Sequence, residues 1–137
     1  PLARSLAEQV IIVVGHDRQS LYAANNIAKA AQYFRSMGGT TQLLGLVVNR
    51  DDGSDTADRY ARAVGLPILA RVPLSRKVRE LADACRLALE EPEFDGIFGD
   101  LAGRIVRRRR KIAGIVPGDD NWIERLRDAG RKGGVWA

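Results

Sequence analysis

The chain of 137 residues is long enough for one domain with one moderate core, and its 45% hydrophobic and 28% charged content is ordinary for a globular protein. A single cysteine, Cys85, excludes an internal disulfide and a cysteine-rich metal site within the chain, and no apolar run approaches the roughly 18 residues of a membrane-spanning helix. We therefore expect a cytoplasmic protein without a transmembrane segment, while the net charge of +5 raises the question of acidic partners.

The positive charge is concentrated in one segment. Much of the excess lies in residues 107–111, which we interpret as the solvated end of a helix, and we expect no nucleic-acid partner. Docking of an anion or a partner protein is the alternative. The sequence begins at Pro1, its one methionine is Met37, and PLARSLAEQ lacks the charged-then-apolar order of a signal peptide, so we expect a fragment or a processed chain.

The first elements are a helix, a strand and a second helix. Residues 2–9 predict a short helix that leads to a buried strand at residues 10–15, VIIVVG. Asp17 or Ser20 is expected to cap the next helix, which ends at residues 38–39, Gly-Gly. The residues of this helix that helical spacing predicts to face a sheet are Ala23, Ile27, Ala30 and Phe34.

The stretch at residues 42–53, QLLGLVVNRDDG, predicts the central strand. Its apolar run is nearly unbroken, which is typical of a strand covered on both faces in a parallel sheet. A polar patch follows at the expected carboxyl end of the strand, which is the edge where ligands bind in open α/β sheets. The patch consists of Asn49, Arg50, Asp51, Asp52 and Gly53.

A further helix and strand extend the alternation. Asp55 or Thr56 is expected to begin a helix that carries Tyr60, Ala61 and Val64, and Gly65 ends it before a third strand at residues 67–72. Strand, helix, strand, helix, strand with short links is the pattern of right-handed parallel crossovers, so we predict an α/β fold with a mostly parallel sheet flanked by helices.

The remaining chain predicts two amphipathic helices and a less regular end. Ser75 is expected to cap a helix with Val78, Leu81, Ala82 and Cys85 on its apolar side, where Cys85 is a small buried hydrophobe. Residues 94–110 predict a helix that turns Ile97, Phe98, Leu101 and Ile105 inward. Residues 112–118 suggest a short edge strand, Asp119 or Asp120 a cap, and Trp122, Ile123 and Leu126 a last helix before a loose tail at residues 130–137.

Sequence motifs exclude several kinds of site. The chain has no Gly-x-x-x-x-Gly-Lys-Ser/Thr loop and no Gly-x-Gly-x-x-Gly, so it lacks a phosphate cradle of its own. His16 is its one histidine, which excludes a histidine-rich metal site and favours a loop residue over a catalyst. Asp51 and Asp52 are interpreted as turn residues, with cation binding as the alternative. We therefore assign no catalytic residue and no metal ligand.

Three segments carry a resemblance to a known family: PLARSLAEQVIIVVGHDRQSLYAANNIAKAAQYFRSMGG, then LLGLVVNRDDG, then GLPILARVP. They are similar to the carboxyl-terminal half of iron proteins of the nitrogenase iron protein family. LYAANNI is typical of the whole family, whereas DRQSLYAANN, YFRSMGG and VVNRDDG together resemble the branch that serves chlorophyllide a reductase, the subunit X type.

The resemblance implies a homodimeric P-loop ATPase with Mg²⁺ and one [4Fe-4S] cluster between its subunits. Residues 1–111 correspond to the carboxyl-terminal half of that domain, residues 112–137 to an extension with a short helix, and the cluster ligands and phosphate loop to the preceding half. By the same resemblance, Asn49 recognises adenine, Val72 and Pro73 lie along the base, and Asp17 lies near the nucleotide and the dimer interface. Cys85 matches no cluster ligand.

The implied activity is ATP-driven electron transfer from ferredoxin to a separate catalytic component that reduces chlorophyllide a in bacteriochlorophyll biosynthesis. The iron proteins of light-independent protochlorophyllide reductase and of nitrogenase are alternatives, as is a partition-type or septum-positioning P-loop ATPase, or an inactive product of a broken gene. Two departures stand out. Ser75 replaces the aspartate of the nitrogenase relative, and the segment SRKVRELADACRLALEEPEF differs from the subunit X pattern.

Overall fold

Three parallel strands form the sheet in the computed structural model, which describes residues 8–107. The strands are β1 (Gln9–Val14), β2 (Gln42–Asp51) and β3 (Ile68–Pro73), in the order β1-β2-β3. The helices are α1 (Arg18–Ser36), α2 (Thr56–Val64), α3 (Arg76–Asp83) and α4 (Pro92–Arg107), with a 3₁₀ turn at Ala88–Glu90. The predicted alternation of strands and helices is confirmed. Asn49, Arg50 and Asp51 of the expected polar patch belong to β2, whereas Asp52 and Gly53 follow it, as predicted.

Helices α1 and α2 cover one face of the sheet. Tyr60 of α2 is the largest fully buried side chain on this face, and its hydroxyl donates to Oδ1 of the buried Asn25 in α1, at 3.2 Å. Burial raises the pKa of the Tyr60 hydroxyl because the phenolate would be poorly solvated there. The apolar side chains that complete this core are Ile12, Val14, Leu21, Ala24, Ala28, Ala31, Leu43, Leu46, Val48, Ala57, Ala61, Val64 and Leu66.

Helix α4 covers the opposite face. Phe94, in its first turn, is 1% exposed and packs with Leu44, Val47, Leu69 and Val72 of the two strands beneath it. Three predicted inward residues of α4, Ile97, Leu101 and Ile105, pack against this second core, whereas Phe98 is 36% exposed. With helices on both faces, β2 is buried on both sides, which explains its continuous apolar sequence.

A bulge interrupts β2 at Leu44 and Gly45. Val10 pairs with Leu43, and Ile11 pairs with Gly45, so Leu44 is passed over in the ladder with β1. Side-chain alternation therefore changes phase at this point. Gly45 has φ +156°, and a Cβ there would lie 2.5 Å from the carbonyl oxygen of Pro67, so the close approach of the two chains requires glycine.

The predicted buried face of α1 is wrong by about one position. Ile27 and Phe34 are each 38% exposed, and the buried residues are instead Leu21, Ala24, Asn25, Ala28 and Ala31. The helix is rich in alanine, so its apolar pattern fits more than one face. Asn25 lies on the buried face because its side chain bonds to Tyr60 across the core. A hydrophobicity pattern treats asparagine as polar and therefore disfavours burial of this face.

The prediction that Cys85 is buried is also wrong. Helix α3 ends at Asp83, and Cys85 follows in a left-handed conformation with φ 55° and an exposed side chain. The helical spacing that placed Cys85 beside Leu81 does not extend past the end of the helix. Leu81 is buried and Val78 half-buried, as expected, whereas Ala82 is exposed.

Several predicted helix ends are confirmed. Asp17 caps α1 by accepting a hydrogen bond from the Ser20 amide, and Gly65 ends α2 in the left-handed conformation. Gly38, at φ 88°, follows the end of α1. Ser75 lies at the N-cap position of α3 without a capping side-chain bond.

Other predictions fall outside the described residues. These are the start of the helix at residues 2–9, the last residues of the helix at 94–110, most of the basic run at 107–111, and everything predicted for residues 112–137. Within residues 8–107, none of the helices combines the length and the hydropathy that a membrane crossing requires.

Candidate functional site

The carboxyl ends of the three strands meet at one edge of the sheet. Asn49 of β2 is paired with Val72 of β3, and Asp51 with Pro73. The loop after β1 lies beside them, since a Cβ on Gly15 would be 3.8 Å from the carbonyl oxygen of Asn49. The structure therefore brings Asn49, Val72 and Pro73 together at the edge where ligands bind in open α/β sheets.

Asn49 is exposed at this edge. Its Oδ1 accepts a hydrogen bond from the Arg50 amide at 3.0 Å. A second lone pair on Oδ1 and the two N–H donors of Nδ2 remain for contacts with a ligand. Arg50 itself has φ 52°, the left-handed region that a residue with a side chain rarely adopts, and β3 passes over Arg50 in the ladder. Such strain persists only where surrounding contacts hold it, and it is concentrated at functional sites.

Asp51 connects all three strand ends. Its Oδ1 lies 2.8 Å from Nε2 of His16, which follows β1, and accepts from the Gly53 amide at 3.0 Å. Its Oδ2 lies 3.4 Å from Nη1 of Arg71 in β3. Its backbone carbonyl accepts from the Leu74 amide at 2.9 Å, just after β3. Asp51 therefore fixes the distance between the Asn49 segment and the Val72–Pro73 segment.

The pKa values of both aspartates are lowered. For Asp51 the main cause is the hydrogen bond with His16, assisted by the Gly53 amide and Arg71 and opposed by partial burial. For the half-exposed Asp52 the main cause is its hydrogen bonding with Ser54. The Gly53 and Ser54 amides close two short turns on these carboxylates, and Gly53 has φ 86°, so the predicted turn at Asp51 and Asp52 is confirmed.

The imidazole of His16 is 7% exposed and is held at both nitrogens. The backbone amide of Ala57 donates to Nδ1 at 3.2 Å, so Nδ1 carries no proton. The proton of the neutral ring is then on Nε2, which donates to Asp51. Ala57 is the second residue of α2, and the N-cap residue Asp55 makes no side-chain capping bond. His16, from the loop after β1, therefore caps this helix.

The same cluster has the composition of a metal site. One ligand atom each from His16, Asp51 and Asp52 lie within 4.8 Å of one another. A metal at Nε2 would have to replace the proton there while Nδ1 still accepts from Ala57, which would make the ring an imidazolate. Metal-bound histidines normally keep a proton on the second nitrogen and donate it. The arrangement therefore favours a hydrogen-bonded helix cap over a cation site.

Asp17 has a structural role next to the site. Its Oδ1 accepts from the Ser20 amide at 2.8 Å, and Ser20 Oγ in turn accepts from the Gly15 amide at 2.7 Å. These bonds shape the turn from β1 into α1. The side chain of Asp17 is exposed, so its expected position near a nucleotide and a subunit interface stays a prediction.

Two contacts at this edge were not predicted from the sequence: that between His16 and Asp51, and the ion pair of Arg71 with Asp58 of α2. One signal for the first was present. His16 follows β1 and Asp51 ends β2, and the carboxyl ends of parallel neighbours lie side by side. No comparable signal links Arg71 with Asp58, because both are charged residues of ordinary surface type.

Residues 1–120 match the family described as 4Fe-4S iron sulfur cluster binding proteins, NifH/frxC family. The chlorophyllide reductase 35.5 kDa chain of Rhodobacter capsulatus is 40% identical over 106 residues, covering 77% of this chain and 32% of that protein. The protein of the same description from Cereibacter sphaeroides is 46% identical over 79 residues, covering 58% of this chain and 24% of that protein. The chain thus spans about a third or less of the length of these relatives.

The crystal structure of the Pyrococcus furiosus cell division ATPase MinD is similar, with a TM-score of 0.56 and 23% identity, covering 73% of this chain and 43% of that chain. This likeness shows the fold alone and confirms the expected α/β architecture, with a mostly parallel sheet flanked by helices. The match over residues 1–120 confirms the resemblance of the sequence to the iron proteins. The chain belongs to the NifH/frxC family of 4Fe-4S iron sulfur cluster binding proteins.

Proposed function

We propose that this chain is part of an ATP-dependent electron-transfer subunit of chlorophyllide a reductase. The observation that carries the proposal is the similarity to the two chlorophyllide reductase 35.5 kDa chains, at 40% and 46% identity. Since the chain spans only part of such a protein, the activity is proposed for the full-length protein, meaning a chain of the relatives' length that contains this sequence. Its reaction would serve bacteriochlorophyll biosynthesis.

The role of this chain in the subunit is to recognise the base of ATP. Asn49 is exposed at the carboxyl end of the central strand, and its amide offers both a donor and an acceptor, which an adenine edge requires. Val72 is its partner in the sheet and Pro73 follows, so an apolar segment lies next to the amide and would support the flat base. Asp17 would lie towards the nucleotide and the second subunit of a homodimer.

The described residues do not fit the other implied groups. A [4Fe-4S] cluster is held by four thiolates, whereas the sequence has one cysteine, and Cys85 is exposed at the end of α3. The phosphates and Mg²⁺ of ATP require a glycine-rich loop with a lysine, which the sequence lacks. The cluster ligands and the phosphate loop therefore belong to a segment of the full-length protein outside this sequence.

The proposed cycle follows from what such a subunit must do. ATP binding shifts the homodimer towards the state that docks on the catalytic component, and hydrolysis releases it, because the two states contact the terminal phosphate differently. Electrons would come from ferredoxin and pass to the catalytic component, which holds the chlorophyllide. In this scheme the present chain contributes base selectivity and part of the scaffold, and the substrate does not contact it.

The test of base recognition is Asn49→Leu in the full-length protein. Removing the amide should reduce the preference for ATP over GTP, because a buried base edge left without its partner costs about 1–3 kcal/mol. Asn26→Leu is the matched control, since Asn26 is an exposed asparagine in the middle of α1. Dissociation constants for both nucleotides provide the measurement, and an unchanged preference in Asn49→Leu would rule out base recognition by this residue.

The reaction partner needs a separate test. The full-length protein, loaded with its cluster and supplied with ATP and reduced ferredoxin, should support reduction of chlorophyllide a by the catalytic component of chlorophyllide reductase. The catalytic components of protochlorophyllide reductase and of nitrogenase are the controls. Turnover with either of these and not with the first would reassign the branch within the family.

A further inference from the structure

We propose that His16 is a positioning residue for base recognition, acting through Asp51 as the neutral ring with its proton on Nε2. This inference rests on the proposed function of Asn49. The single histidine of the sequence is nearly buried, yet it lies at the edge of the sheet that carries the exposed Asn49. Both of its nitrogens are used in contacts with the segment that follows Asn49.

The contacts of His16 hold that segment at two points. Nε2 donates to Oδ1 of Asp51 at 2.8 Å, two residues after Asn49. Nδ1 accepts from the Ala57 amide at 3.2 Å, where α2 begins. Between these points, the Gly53 and Ser54 amides close two local turns on Asp51 and Asp52. One rigid ring therefore fixes both ends of the loop between β2 and α2 to the end of β1.

Two side chains from outside β2, His16 and Arg71, hold the carboxylate of Asp51. His16 is the better fixed of the two. Nη1 of Arg71 is 3.4 Å from Oδ2, the Arg71 side chain is 41% exposed, and its guanidinium also pairs with Asp58. His16 is closer, nearly buried and held at its second nitrogen. Loss of His16 should therefore remove the shorter of these two side-chain bonds to Asp51, whereas loss of Arg71 leaves it in place.

Asn49 depends on Asp51 because Arg50 between them is strained. The left-handed backbone conformation is unfavourable for an arginine, so contacts of the neighbouring residues must stabilise it. The Asp51 side chain and its carbonyl, which binds the Leu74 amide, are those contacts on the carboxyl side. Without the His16 bond, Asp51 is held mainly by the Leu74 amide and the longer contact with Arg71, so Arg50 relaxes more easily and the Asn49 amide is less firmly oriented beside Val72.

Two substitutions separate the two bonds of His16. In His16→Gln the side-chain amide reaches as far as Nε2 and can donate to Asp51, but it does not cap α2. In His16→Asn the shorter side chain reaches only as far as Nδ1, so its oxygen can accept from Ala57 but its amide does not reach Asp51. Each variant is therefore the control for the other, because both change the same residue, both are uncharged, and each keeps one of the two bonds.

The experiment measures ATP and GTP dissociation constants in the full-length protein, with amide hydrogen exchange of the peptide that spans residues 49–57. His16→Asn should lower the ATP preference by roughly two- to tenfold, the range expected for one hydrogen bond. His16→Gln should retain the preference although exchange at the start of α2 becomes faster. His16→Asn combined with Asp51→Ala should lose no more preference than Asp51→Ala alone.

Two results would overturn the proposal. One is a wild-type ATP preference in His16→Asn while Asn49→Leu reduces it, which would show that Asn49 recognises the base without His16. The other is a loss of preference in both His16 variants that follows their loss of thermal stability, which would make His16 a general structural residue. If Asn49→Leu itself has no effect, base recognition by Asn49 fails, and this result is distinct from both.

Discussion

Nε2 of His16 lies 2.8 Å from Oδ1 of Asp51, although the two residues are 35 positions apart in the sequence. The bond links the end of β1 to the end of β2 and is the main reason for the low pKa of the Asp51 carboxyl. It places a carboxylate and a nearly buried imidazole at the centre of the candidate site. Its consequences for stability can be measured separately from any nucleotide chemistry.

Acid should weaken the fold through Asp51. Because its pKa is lowered in the folded state, the ionised carboxylate stabilises the fold at pH above the ordinary aspartate value, and this stabilisation is lost as the pH falls from about 4 through the folded-state pKa. Asp51→Asn should flatten that part of the pH dependence. Urea unfolding between pH 7 and pH 3 measures it, with Asp83→Asn at the exposed end of α3 as the control. Equal acid sensitivity in wild type and Asp51→Asn would contradict this role.

The bond between Tyr60 and Asn25 should contribute measurably to stability. Both side chains are fully buried, and Tyr60→Phe removes the donor without changing the shape of the core. We expect the free energy of unfolding to fall by about 1 kcal/mol, the typical value for a hydrogen bond between uncharged groups. Tyr33→Phe, at a tyrosine that is 60% exposed, should change it little. Similar values for the two variants would show that the buried bond contributes nothing.

Gly45→Ala should destabilise the sheet. The added methyl group would meet the Pro67 carbonyl at 2.5 Å and Cγ of Leu69 at 2.9 Å, so β2 and β3 must move apart. Overpacking of this kind costs typically 1–3 kcal/mol. Gly99→Ala is the control, because no atom lies within 4 Å of its added Cβ and alanine favours a helix interior. Thermal unfolding should separate the two variants in opposite directions.

Cys85 should be reactive but dispensable. Its exposed side chain after α3 predicts rapid labelling by a maleimide in the native protein. In the full-length protein, Cys85→Ala should leave the visible absorbance of the cluster and the thermal stability nearly unchanged, because no core contact is lost. Loss of the absorbance would make Cys85 a ligand and contradict the proposed location of the cluster ligands.

The chain of 137 residues by itself should bind no ATP at micromolar concentration and should reconstitute no cluster. It has neither a glycine-rich phosphate loop nor four thiolates. Within residues 8–107, β1 is an edge strand and its Val13 is 61% exposed, so we also expect self-association through this edge and the apolar face beside it. Nucleotide titration, absorbance after addition of iron and sulfide, and sedimentation provide the measurements. A monomeric, ATP-binding and brown chain would contradict all three expectations.

The strands and helices could be predicted because local sequence determines them here. A strand covered on both faces is continuously apolar, so β1 and β2 stand out, and the Asp17 cap and Gly65 end are set by neighbouring residues. The face of α1 could not be predicted, since it depends on where Tyr60 meets Asn25 across the core. Burial of Cys85 was wrongly predicted because helical spacing does not show where a helix ends.

The candidate site was predictable in position but not in its contacts. The edge at Asn49 follows from the order of parallel strands, and the pairing of Asn49 with Val72 agrees with it. The role of His16 could not be inferred from residue type, because a lone histidine in a loop has many uses. It depends on two bonds to residues 35 and 41 positions away, which exist only after the three strand ends meet.

The bulge at Gly45 gives β2 one residue more than regular alternation of its side chains requires. Leu46 and Val48 belong to the core under α1 and α2 only because the ladder passes over Leu44, which shifts the alternation by one residue. Deletion of Gly45 would remove the extra residue and leave Leu43, Leu44, Leu46, Val47 and Val48 alternating regularly on the faces that they already occupy. A one-residue deletion at Gly45 should therefore be tolerated better than a one-residue insertion in β2, which would turn the side chains on one side of it to the opposite face of the sheet.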